Sequence, residues 1–116
     1  MRQIIYILLT AYNEEKNLIK IFKKIKTLTK LQKNIKVVLV DDFSSDNTER
    51  LSKKKYSFQL YYIRHKFNKG LSITMETGFR EILKRSNEKD IVITLDSDNT
   101  HPISIIPRMI KKIDKG

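Results

Sequence analysis

Apolar and polar positions along the chain repeat with two alternating periods. Residues 3–9 (QIIYILL) form a nearly continuous apolar run of strand length that stops at Thr10-Ala11-Tyr12-Asn13. From Glu14 onward, Leu18, Ile21, Phe22, Ile25 and Leu28 recur at helical spacing with lysines between them, which predicts an amphipathic helix over 14–32. Residues 36–41 (KVVLVD) read as a second buried strand, after which Ser44, Ser45 and Asp46 supply N-cap chemistry for a short helix near 47–55. A third strand is predicted over 58–64 (FQLYYIR), and Gly70 marks the turn into a helix where Leu71, Met75, Phe79, Ile82 and Leu83 share one face. A fourth strand covers 90–95 (DIVITL), and a helix over 102–113 carries Ile106, Met109, Ile110 and Ile113. Strands and helices in strict alternation, with strands apolar on both faces, predict an α/β fold: a Rossmann-like parallel sheet with helices on both faces. The 116 residues hold no internal repeat or low-complexity linker and read as a single domain.

Composition narrows the picture. The longest apolar run, Ile4 to Leu9, is six residues, against the roughly 20 that cross a bilayer, and no small-residue cleavage site follows it. With zero cysteines there is no disulfide framework, thiolate zinc site or cysteine nucleophile, and a cytoplasmic address is expected. The excess of 24 Lys+Arg over 13 Asp+Glu gives a net charge of +11, which suits an anionic partner: nucleic acid, an anionic membrane face or a phosphorylated small molecule. The lysines are scattered over every predicted helix, as in a solvated surface. The acids instead gather at predicted strand ends.

Ligands of such sheets bind beyond the carboxyl ends of the strands, near the point where strand order reverses. Those ends read Thr10-Ala11-Tyr12-Asn13-Glu14, Asp41-Asp42-Phe43-Ser44, His65 to Gly70, and Asp96-Ser97-Asp98. Three of the four carry carboxylates. Like charges repel and raise one another's pKa, so their collection on one rim of a basic chain points to a divalent cation or to the base and ribose of a nucleotide.

The segments carrying those ends resemble family 2 glycosyltransferases. LLTAYNEEKNL is similar to their opening, VVLVDDFSSDNTE to their Asp-Asp-x-Ser-x-Asp-x-Thr motif, and NKGLSITMETGF to their Asn-x-Gly helix start. DIVITLDSDNTHP resembles their Asp-x-Asp strand end, with the His-Pro typical of dolichol-phosphate mannosyltransferases and related polyprenol-phosphate sugar transferases. The resemblance implies a GT-A fold and inverting transfer from a nucleotide-diphosphate sugar, with a polyprenyl or dolichyl phosphate, or a glycan, as acceptor. It makes Asp96 and Asp98 the catalytic pair holding Mg²⁺ or Mn²⁺, with Asp98 the direct ligand and Asp96 on ribose, metal or both. Thr10, Ala11, Tyr12, Glu14, Val40, Asp42, Asp96 and Ser97 would surround the nucleotide, Asp42 accepting a base N–H. Thr100 stands where these enzymes often place a metal-binding glutamine; the shorter threonine would act through water.

Two further departures are Phe43, where glycine is usual, and Ser72, which replaces a second glycine after Asn-x-Gly. The domains it resembles continue well past the Asp-x-Asp helix, so the chain reads as the donor-binding part of a catalytic domain whose C-terminal part is missing. On that reading it is not expected to complete transfer alone. Peripheral contact with the inner, anionic membrane face fits the charge, and nucleic acid fits less well because no recognition motif is present. The rival reading is a non-catalytic basic module, which would bind polyanions without preference for a nucleotide sugar. A phosphorelay receiver would carry Val-Leu-Val-Asp-Asp at the end of its first strand, whereas here that run ends the second.

Overall fold

The computed structural model describes residues 3–96, 103 and 106–115. The elements run β1 (Ile5–Ala11), α1 (Glu15–Leu31), β2 (Ile35–Asp41), α2 (Thr48–Ser52), β3 (Gln59–Arg64), α3 (Leu71–Leu83), β4 (Ile91–Asp96) and α4 (Ile106–Lys115). All strand pairings are parallel and the order is β3-β2-β1-β4. Every element expected from the hydrophobic pattern is present, with shifted bounds. The first strand runs on through Thr10 and Ala11, because both still pair with β2, opposite Val40 and Asp41. Helix α2 is shorter than expected, and α4 is described from Ile106, residues 102, 104 and 105 lying outside the described set.

Alternation along the strands sorts the core into two layers. Ile5, Ile7 and Leu9 of β1, with Val37 and Leu39 of β2 and Ile91 and Ile93 of β4, face α1 and α4, meeting Leu18, Ile21, Phe22 and Ile25 on one side and Ile106 and Ile110 on the other. Tyr6, Leu8, Val38 and Val40 face the opposite way, against Ile82 and Met75 of α3. Each such aliphatic side chain stabilises the fold by about 1.5–3 kcal/mol on burial, which exceeds what helix propensity alone can supply. Helix α3 lies so close to the sheet that a Cβ on Gly78 would clash with the Leu8 side chain. Only glycine fits that approach.

Strands β1, β2 and β3 are laid down in one direction across the sheet. The chain then returns through α3, over the other face, to place β4 beside β1. This reversal puts the switch point of the sheet, where such folds bind ligands, at the carboxyl ends of β1 and β4. Thr10 and Asp96 are register partners there.

Candidate nucleotide-sugar site

Two adjacent aspartates leave β2 on opposite faces of the sheet, and each is held by its own set of donors. Asp41 is fully buried. Its Oδ1 accepts the Ser44 N–H at 2.9 Å, its Oδ2 accepts the Tyr62 hydroxyl at 2.6 Å, and Arg64 Nε lies 3.8 Å away. Burial, together with the charge and hydrogen bond of Asp41, pushes the Tyr62 phenol far above its ordinary pKa, so Tyr62 stays a donor to the carboxylate.

Asp42 turns toward α3. Its Oδ1 meets His65 Nδ1 and the Lys69 N–H, both at 2.8 Å, and its Oδ2 accepts the Gly70 N–H at 2.9 Å. Burial alone would raise the pKa of Asp42, but the His65 ring and the two backbone donors outweigh it and hold the carboxyl below its usual range. An ionised carboxylate has about four acceptor positions; among the described residues three are used and one is not. Gly70 makes this cradle possible: at φ 91 and ψ 164 it occupies a region essentially closed to residues with a Cβ. His65 continues the network through Nε2 to Thr77 Oγ1 at 2.8 Å. The sequence reading did not single out His65. Its only signal is a histidine directly after a strand that neighbours the Asp-Asp strand.

The loops after β1 and β2 are laced together. Asn13 adopts the left-handed φ of 54, donates its N–H to Ser44 Oγ at 2.8 Å and accepts the Ser45 N–H on Oδ1 at 2.8 Å. Asp46 accepts the Glu15 N–H at the start of α1 and the Thr48 N–H at the start of α2, so one carboxylate caps two helices. Burial would raise the pKa of Asp46, and its Thr48 and Glu15 donors bring it below the ordinary value instead. Glu14 stands at the N-cap position of α1 without capping it and accepts a hydrogen bond from Asn17.

The nucleotide-binding candidates therefore separate. Tyr12 is exposed, Glu14 is half-buried, and Thr10 and Asp42 are nearly buried at the rim. Ala11 and Val40 are buried beside it, their side chains in the two core layers. Asp96 ends β4 on the same rim, its backbone opposite Thr10. Ser97, Asp98, Thr100 and His101 lie outside the described residues. Among the described residues no group of three acidic or histidine side chains could hold a metal ion, and no helix is long and apolar enough to cross a membrane.

Comparison with known proteins agrees with this layout. The model of the family described as "Glycosyl transferase family 2" matches residues 6–116. Dolichol-phosphate mannosyltransferase of Pyrococcus furiosus is 32% identical over 111 residues, which cover 95% of this chain and 30% of that protein. Undecaprenyl-phosphate 4-deoxy-4-formamido-L-arabinose transferase of Proteus mirabilis is 29% identical, over 95% of this chain and 33% of its own length. The chain spans 30% to 45% of the first relatives it matches. Among solved structures, S. aureus TarS in complex with UDP superposes with a TM-score of 0.80 at 20% identity, over 97% of this chain and 32% of that one. The parallel sheet, the crossover through α3 and the matched motifs lead to one conclusion: the chain belongs to glycosyl transferase family 2.

Proposed function

We propose that the carboxyl rim binds a nucleotide-diphosphate sugar, with the base beside Tyr12 and Asp42 and the diphosphate toward Asp96 and Asp98. The observation that carries this reading is the meeting of the Asp41-Asp42 and Asp96 strand ends on one rim, on either side of Thr10, in a basic chain of this family. The remaining acceptor position of Asp42 suits a base N–H. Tyr12 offers an exposed ring. TarS has been solved with UDP, and the names of the two relatives above each join a lipid phosphate to a sugar transferase.

The donor set at the end of β4 is chemically suited to a hard divalent cation, since Asp96 and Asp98 offer carboxylate oxygens two residues apart. Thr100 would contribute through a water. Mg²⁺ or Mn²⁺ bound there would supply charge neutralisation of the departing diphosphate. In the transfer itself, an oxygen of a polyprenyl phosphate acceptor forms a bond to the anomeric carbon as the bond from that carbon to the diphosphate oxygen breaks, with its electron pair leaving on the diphosphate. An acceptor already ionised at neutral pH needs no proton removed. Such an acceptor places the working protein beside an anionic membrane.

Calorimetry with nucleoside diphosphates, with and without Mn²⁺, tests this reading. The expected result is binding that tightens with metal, a metal dependence lost in Asp98→Ala, and weaker base recognition in Asp42→Ala. Metal-independent binding that Asp98→Ala leaves untouched would overturn the assignment of the metal.

A further inference from the structure

Each of the three loops that follow β1, β2 and β3 at the carboxyl rim presents one exposed aromatic ring: Tyr12 (52% exposed), Phe43 (44%) and Phe67 (61%). All ten aromatic residues of the chain are described, and Phe79 on α3 is the only other exposed one. Two of the rim rings carry a cation. The Arg64 guanidinium lies 4.7 Å from the centroid of Phe43, and Lys69 Nζ lies 5.1 Å from that of Phe67.

These rings are placed by the network around the aspartates. Arg64 Nη2 donates to the Ser44 carbonyl at 2.9 Å, and the Lys69 N–H donates to Asp42. Phe43 directly follows Asp42, and the backbone of Lys69 and Gly70 closes on the same carboxylate, so both ring-bearing loops adjoin Asp42. Phe43 also sits at φ 68, a conformation that glycine adopts freely and a bulky residue does not. Neither burial nor backbone preference accounts for a phenylalanine there. A ligand with a flat π face does, because an exposed aromatic ring is a stacking surface for a base, and the cation on its other face holds the ring in place.

We propose that Phe43 and Phe67, each backed by its cation, are stacking walls for the nucleobase of the donor, and that Phe43 sets which base is preferred. The proposal rests on the nucleotide-sugar reading and deepens it. The test is calorimetry on the 116-residue chain with UDP, GDP, ADP and CDP in the presence of Mn²⁺, with inorganic pyrophosphate as the ligand that lacks a base. Phe43→Gly, which suits the backbone, and Phe67→Ala are compared with Phe79→Ala. The expected result is that each rim variant weakens the best nucleoside diphosphate by about tenfold, leaves pyrophosphate unchanged, and in Phe43→Gly narrows the spread between bases, while Phe79→Ala changes none of these. Rim variants that keep both the affinities and the order of bases would overturn the proposal and leave the nucleotide reading standing. A wild-type chain that binds no nucleotide would overturn both. Loss of flotation with anionic vesicles in the rim variants, with nucleotide binding intact, would assign the rings to a lipid surface and also overturn it.

Discussion

Asp42 and Phe43 show how much of the rim is decided by single side chains. Because the folded state holds Asp42 ionised below the usual carboxylate range, its stabilisation is complete above the unfolded value of about pH 4. It is lost as pH falls from there through the folded value. Acid unfolding monitored by circular dichroism is therefore expected to steepen below about pH 4, and Asp42→Asn should flatten that segment. The same substitution turns an amide N–H toward donors and should cost about 3 kcal/mol at neutral pH, read by urea denaturation. At Phe43 the left-handed backbone makes a different comparison informative. Phe43→Gly is expected to be more stable than Phe43→Ala by about 1 kcal/mol, the approximate cost of a Cβ in that region. Equal stabilities would mean that the loop relaxes out of its turn.

Element by element, the glycine that precedes α3 and the one within it give opposite reasons for the same residue. At Gly70 a Cβ would meet nothing within 4 Å, but φ is +91, so Gly70→Ala should cost about 1–3 kcal/mol through backbone strain alone and disturb the Asp42 cradle with it. At Gly78 the backbone is ordinary and the obstacle is Leu8, whose fully buried side chain would have to shift. Gly78→Ala gains about 1 kcal/mol of helix propensity and loses about 1–3 to overpacking, so a net fall in melting temperature is expected, and Leu8→Val should partly restore it. Strand and helix order were legible from periodicity because burial alone dictates them. The apolar runs of β1 and β2 are buried end to end, and no other arrangement hides them. The Asp-Asp pair was legible as a site because acids at strand ends are conspicuous in a basic chain. Asp46 was legible as a cap of α2, but its hold on α1 and the role of His65 were not, since those partners lie 31 and 23 residues away and no local pattern encodes such a distance.

For the whole molecule, one side of the sheet is covered unevenly. Helix α3 crosses β1 and β2, while Val92 of β4, on the same face, remains 38% exposed and the nearby surface of α3 shows Phe79 and Leu83. Among the described residues no strand pairs with the outer edge of β4. Free edges beside apolar surface invite association, so the isolated chain is expected to self-associate as its concentration rises in sedimentation velocity, and Val92→Lys should suppress this; a strictly monomeric wild type would contradict the expectation. The lacing of the two rim loops carries a consequence of another kind. Asp41, Asp42, Ser44 and Asp46 hold Tyr62, His65, Asn13 and two helix starts, so they stabilise the fold whatever the rim does. A lineage that had given up sugar chemistry would still keep that signature, just as a mutant library sorted only for protease resistance should retain it.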